Sequence, residues 1–324
     1  MKAERGRTWL RKGTCSRAWL HGILLPALLA GNLAAAQTAA VAVVPDADSF
    51  VRSLAPASNY GAAGALSVSG ASAVNGSGMQ NGLFDSLMRF PTSNVVASLD
   101  AALGAPDWVV TGVQLVLTEM AAPDNAIFNR GMGAFEVRWV AADGWIEGTG
   151  KPNAPTSDGV AWQDLPLILN SNLDVSLGVF TNSGANGQIS FGLGLAERFL
   201  VDLRQGGEAG LYLTARSPEI GFTFNSREFG NTNAQPMLVV RAAANPRPRI
   251  DALSFTGTNV AVSFGTVPNW GYRLQCATAL AQALPGPGSW LDLLTIPPQP
   301  SATNVVYLDG VTNGERFYRL SVSP

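Results

Sequence analysis

The chain has 324 residues, of which only 14% are charged, well under the ~25% usual for globular domains, and it carries 35 glycines and 20 prolines. Its one histidine, His21, lies ahead of residue 37, so a mature chain starting there has no imidazole for nucleophilic triads, zinc ligation or general acid-base work. Beyond residue 36 the formal charge is −7 with Lys151 as the single lysine, which disfavours nucleic acid and anionic membranes as partners, and Cys276 stands alone, which excludes an intramolecular disulfide.

Residues 1–36 read as a secretory signal. Lys2, Arg5, Arg7, Arg11, Lys12 and Arg17 form a basic lead, and an apolar run follows from Ile23 to Leu33, broken by Pro26, Gly31 and Asn32. Ala34-Ala35-Ala36 then supply the small residues of a cleavage site before Gln37. The run is shorter than the ~20 residues of a membrane-spanning helix. Cys15 precedes it, where a lipoprotein cysteine would follow. The mature protein is expected to be soluble and secreted, extracellular or associated with the cell surface, with no membrane insertion after cleavage.

From there the periodicity is that of strands. Val113, Leu115 and Leu117 alternate with Gln114 and Val116; Phe135, Val137 and Trp139 with Glu136 and Arg138; Ile189, Phe191, Leu193 and Leu195 with Ser190, Gly192 and Gly194. Further strands are predicted at 49–53, 65–69, 87–90, 211–215, 221–226 and 237–242. Between them fall turn clusters such as Asn75-Gly76-Ser77-Gly78, Asp143-Gly144 and Gln205-Gly206-Gly207. One short helix is predicted, Ser98 to Leu103, with Ser98 as N-cap and Gly104 as stop. Pro246 and Pro248 mark residues 245–249 as an extended linker between a domain at 37–244 and one at 250–324. The second shows six strand patterns: Leu253 and Phe255; Val260 to Phe264; Tyr272 to Cys276; Trp290 to Leu294; Val305 to Leu308; Phe317 to Val322. Ala279 to Pro287 reads as a loop without chemical signal. The fold class is all-β: an antiparallel jelly-roll type β-sandwich followed by a small Ig/fibronectin-III-like β-sandwich.

The order of motifs from Asp46 to Arg241 resembles the DNRLRE domain, also classed as carbohydrate-binding module family 96. The pieces that carry the likeness are Asp46-Ala-Asp48-Ser-Phe-Val51 with Asn59-Tyr60-Gly61; Leu87-Met-Arg89-Phe90; Val113-Gln-Leu115-Val-Leu117; Trp145-Ile-Glu147-Gly148-Thr149 with Val160-Ala-Trp162; and Phe224-Asn-Ser226-Arg227-Glu228 before Gln235-Pro236. The resemblance implies a secreted jelly roll, some members of which bind polysaccharides, including acidic alginate. From Ile250 onward the chain is similar to short β domains that end many large secreted bacterial proteins. A module gripping an acidic polymer would be expected to show several basic residues, and here one lysine and a net negative charge point instead to a neutral glycan.

Candidate residues carry two readings each. Trp145, Trp162 and Tyr60 could stack on a sugar ring beside Glu147, or plug the sandwich as core aromatics, the commoner state. Arg89 and Arg227 could clamp a uronate, or satisfy Glu228, Asp85 or Glu147. Asp46 and Asp48, with Asn59, could ligate structural calcium, or be solvated strand-edge carboxylates. No other cofactor is implied. For hydrolysis, Glu136, Glu147, Asp158 and Glu228 are the attractive carboxylates, and no spacing selects a pair, so no enzymatic activity is expected. Polysaccharide binding without catalysis is the leading function; the alternative is a structural or adhesive surface protein with no sugar site. The sequence sets no oligomeric state.

Overall fold

A computed structural model describes residues 37–105, 108–120, 131–184, 187–278, 290–310 and 315–323; the signal and the Ala279–Pro287 loop expected above lie outside them. Up to residue 244 the chain forms strands Thr38–Val43 (β1), Ala47–Arg52 (β2), Ala65–Ser69 (β3), Phe84–Pro91 (β4), Trp108–Glu119 (β5), Ala134–Val140 (β6), Val175–Thr181 (β7), Gly187–Leu193 (β8), Glu208–Ala215 (β9), Gly221–Asn225 (β10) and Met237–Ala244 (β11). Its helices are Ser93–Leu103 (α1), Leu165–Ile168 (α2) and Glu197–Gln205 (α3).

One leaf of the sandwich is β1-β11-β5-β8 and the other β2-β4-β9-β6-β7, all antiparallel. The β3-β10 pair joins the leaves, meeting β5 only at Phe224–Glu119 and β4 only at Ser69–Phe84. The alternating runs explain the stacking. Val113, Leu115 and Leu117 face Phe135, Val137, Leu211 and Leu213 across one buried interior, where Phe135, Phe191 and Phe224 meet edge-on or tilted. Each such side chain contributes roughly 1.5–3 kcal/mol by leaving water.

Helix α1 starts five residues before the expected Ser98, after Thr92, and buries Val95, Leu99 and Leu103 on one stripe. Ser98 is interior to it, so no N-cap sits there; Gly104 does end it. Helix α3 was not expected. Phe199 and Leu203, four apart, anchor it, and Gly206 closes it in the left-handed conformation that glycine adopts freely.

The opposite face of β4 and β9 is not left to solvent. Ala47, Val51, Leu87, Val140 and Tyr212 form a second apolar layer, covered by residues 141–174 through Trp145, Val160, Leu165 and Ile168. An antiparallel sheet usually wets that face; here it supports the loops that carry the candidate residues.

After residues 245–249, which form no strand, come Ala252–Thr256 (β12), Asn259–Gly265 (β13), Gly271–Ala277 (β14), Leu291–Ile296 (β15), Asn304–Gly310 (β16) and Phe317–Ser323 (β17). They form two antiparallel sheets, β12-β13-β16 and β15-β14-β17. Their core of Val262, Phe264, Trp270, Tyr272 and Leu274 also takes in Ala243 of β11 and Val109 of β5. Leu253 and Phe255 pair with Val262 and Val260, yet stay 56% and 86% exposed. Cys276 is buried, as its alternation with Tyr272 and Leu274 predicts. Gln275, expected to face out, is buried too: the register slips between Leu274 and Gln275, and Arg319 Nε donates to its Oε1 at 2.7 Å.

Candidate functional site

The loops at one end of the sandwich are tied together by Asn59. Its Nδ2 donates to the carbonyls of Glu147 (2.5 Å) and Val160 (2.9 Å), and its Oδ1 accepts from Gly61 N (3.1 Å) and Gly150 N (3.0 Å). This buried amide therefore has all four of its bonding positions filled. The glycines around it follow from that crowding. A Cβ on Gly148, whose φ is +81°, would come 2.3 Å from Asn59 Oδ1, and one on Gly150 would come 1.9 Å from the Asn59 carbonyl. Asn59-Tyr60-Gly61 and Glu147-Gly148-Thr149-Gly150 are thus two halves of one packed knot.

Arg89 leaves β4 on the face covered by residues 141–174. Its Nε and Nη2 donate to Asp46 Oδ1 (3.0 Å) and Oδ2 (3.2 Å), and Nη1 to the carbonyls of Asp143 and Trp145, both 3.0 Å. Glu208 Oε2 lies 3.2 Å from Nε, and the guanidinium stands 5.6 Å from the Trp145 ring centroid. This guanidinium holds the loop in place and has no fork left for a uronate. Trp145, 8% exposed, packs on Val140, Val160 and Tyr212 as a core aromatic.

Asp48, Phe50 and Arg52 share the other face of β2. Asp48 is fully buried there and meets Glu147 and Glu228, one oxygen of each lying within 4.8 Å of the other two. Asp48 N donates to Glu147 Oε1 (2.8 Å), and Arg227 N to Asp48 Oδ2 (2.8 Å). Arg227 Nε pairs with Glu228 Oε1 at 2.8 Å and approaches Glu147 Oε1 at 3.6 Å; Ser226 Oγ donates to Glu228 Oε2 at 3.0 Å. Asp48 Oδ1 is buried with no hydrogen bond. Burial, with the charges of Glu228 and Glu147 added, pushes the Asp48 carboxyl well above the ordinary carboxylate range against the Arg227 N–H, and burial first also raises Glu147.

Along β2, Phe50 stacks on Tyr60 with centroids 4.5 Å apart, and Phe84 closes the cluster under the Arg52 guanidinium, 5.3 Å from its ring centroid. A pocket of about 230 Å³ opens here, lined by these three rings, Arg52, Asn75, Asn81, Pro152 and Asn153. A wider cleft of about 480 Å³ lies over Trp145, with Ile146, Leu167 and Ile168 on its walls and Asp158 and Asp164 as its carboxylates. Asp158 is fixed by Thr149 and Thr156, whose hydroxyls donate to it at 2.7 and 2.5 Å and hold its pKa down, at about 2.

The expected site residues therefore separate. Tyr60 lines the smaller pocket, Trp145 floors the cleft, half-buried Trp162 packs beside it against the second layer, and Glu147 with Arg227 joins Asp48 and Glu228. The expected calcium set does not converge: Asp46 is paired with Arg89, Asn59 is consumed by main chain, and only Asp48 belongs to the acidic group. Nor is Asp48 a solvated edge carboxylate, since β2 turns it inward. Arg52, Asn75, Asn81 and Asn153 were missed; the parity of Arg52 with Phe50 was the signal available. Of the hydrolytic candidates, Glu136 is buried against Arg216, Glu147 and Glu228 sit together with Asp48, and Asp158 lies on the cleft over Trp145.

No protein-family model matches this sequence, and no curated protein does. Among solved structures the chain is similar to a Bacteroides fragilis protein provisionally designated a beta-galactosidase, at 8% identity and a TM-score of 0.22 over 88% of this chain. The match covers 35% of that protein, so this chain spans about a third of its length.

Proposed function

We propose that this is a secreted, non-catalytic β-sandwich protein that binds a neutral glycan through the Phe50-Tyr60-Phe84 pocket, in keeping with the resemblance to the DNRLRE and family 96 modules. The pocket itself carries the proposal. Its floor is aromatic, its walls are amides and one guanidinium, and about 230 Å³ is on the scale of a single sugar ring. Amides match sugar hydroxyls as both donors and acceptors. A glycan array probed with residues 37–324 tests this. A neutral glycan should bind with little dependence on salt, and Asn153→Ala combined with Arg52→Ala should weaken it by about tenfold or more. Binding only to uronates that collapses as salt rises would overturn the neutral specificity; an array without hits would overturn the glycan proposal.

An adhesive role is the second reading, and one observation favours it. The described tryptophans expected to stack, Trp145 and Trp162, face inward, while on the β12-β13-β16 sheet Leu253 and Phe255 stand exposed on one face and Val306 and Leu308 on the other.

A further inference from the structure

Asp48 and Glu228 form a contact that cannot stand as drawn in ionised form. The free oxygen of Asp48 is sealed from water and receives no hydrogen bond, and the carboxylate beside it is an acceptor like itself. Some positive charge has to sit between them, and Arg227 does not: its Nε is on Glu228 Oε1 and its N–H on the other Asp48 oxygen. Three carboxylates against one guanidinium leave two negative charges. A proton shared by two acids would answer only one of these and leave the other charge beside Glu147, whose Oε1 is held at the same point by the Asp48 N–H at 2.8 Å. Every donor in the group is a carboxylate oxygen, the hard-ligand chemistry of calcium rather than zinc or copper. The oxygens lie within 4.8 Å of one another, so a common centre is at most about 2.8 Å from each, and small inward shifts of the side chains bring all three to the ~2.3–2.6 Å of Ca–O bonds.

We propose that Asp48, Glu147 and Glu228 bind one calcium ion, which neutralises the buried trio and clamps two loops, the one after β10 and the one carrying Trp145, to the start of β2. The remaining coordination positions are left to water and main chain. This site is independent of the glycan pocket.

The test is calcium binding to the secreted chain by isothermal titration calorimetry after chelator treatment, with thermal unfolding in calcium and in EDTA. One ion should bind per chain, and calcium should raise the melting temperature by several degrees. Asp48→Asn keeps the acceptor for Arg227 N and so should fold; it and Glu228→Gln should each weaken calcium binding at least about tenfold, while Asp158→Asn leaves it unchanged. Because a neutral variant can itself change stability, the decisive reading is the calcium dependence of each variant, not its melting temperature. No heat of binding at millimolar calcium with equal melting in EDTA would overturn the site. So would binding that survives both Asp48→Asn and Glu228→Gln. A chain indifferent to calcium that Asp48→Asn stabilises at neutral pH would overturn it in favour of the shared proton.

Discussion

Replacing Asn59 by alanine removes four hydrogen bonds from a site that water does not reach. The N–H groups of Gly61 and Gly150 lose their acceptor, and the carbonyls of Glu147 and Val160 lose their donor. A buried group left unpaired costs about 1–3 kcal/mol, and water entering the vacated volume recovers part of it, so the loss is about 3–5 kcal/mol. For a domain of this size a kcal/mol moves the melting temperature by about 2–4 °C, which puts the expected fall near 10 °C. Asn59→Asp makes the contrast: it keeps the acceptor, loses both donors, and sets a carboxylate against two carbonyls, so it should be no milder than alanine. Differential scanning calorimetry on residues 37–324 reads both. An Asn59→Ala protein melting within about 2 °C of the parent would refute the idea that this amide organises the loop end.

Asp85 is pushed up to about 6 by burial, against hydrogen bonds from Tyr212 and Thr214. The folded chain then holds a proton that the unfolded chain releases near 4, so this contribution is fully present below about pH 4 and is lost as pH rises toward 6. It amounts to about 3 kcal/mol, and the stability difference between parent and Asp85→Asn, measured in chelator from pH 4 to 7, should narrow or invert by about that much; a difference independent of pH would be the contrary result. Gly148→Ala should destabilise by more than about 2 kcal/mol, because it adds both a left-handed strain and a 2.3 Å clash with Asn59, and urea titration measures it. The Cys276 thiol, 1% exposed and receiving a hydrogen bond from Arg316 Nη1 at 3.2 Å, should react with a thiol reagent only as fast as the chain unfolds, and rapid native labelling would contradict its burial. Phe255→Thr should change stability by less than about 0.5 kcal/mol while reducing any self-association seen by sedimentation, since the ring touches mostly solvent.

The parts of the fold that the chain declares in its own order are those with strict alternation. β5, β6, β13 and β14 are legible because one face is apolar and the other is not, whereas β16 declares itself as a continuous apolar run, Val305 to Leu308. β1 was passed over: Thr-Ala-Ala-Val-Ala-Val offers little contrast between faces, and only pairing with β11 makes it a strand. α3 was hidden by a turn signal, for Gly206 ends a helix as readily as it makes a loop, and the four-residue spacing that distinguishes them rests on Phe199 and Leu203 alone. The site fared worse for a different reason. Asp48 meets Glu147 across 99 residues and Arg227 across 179, and no periodicity encodes such meetings. Parity along β2 did carry information. It places Asp48, Phe50 and Arg52 on one face, and so links the acidic group and the aromatic pocket; the same parity carried one step back pairs Asp48 with Asp46, which lies ahead of β2 and is taken by Arg89 instead.

The pairing of β1 with β11 has a mechanical side. The two strands run antiparallel with Thr38 opposite Ala243, and Ala244 N donates to the Gln37 carbonyl at 2.8 Å, so residue 37 lies beside the point where the chain leaves for its second sandwich. A load drawn between residue 37 and that sandwich pulls on two adjacent strand ends. The bonds of the ladder then break in succession, each bearing the full force in turn, rather than together as they would in shear. β1 is the element that peels first, at low force, and its departure bares the edge of β11, a row of unpaired amides and carbonyls that another extended chain can fill.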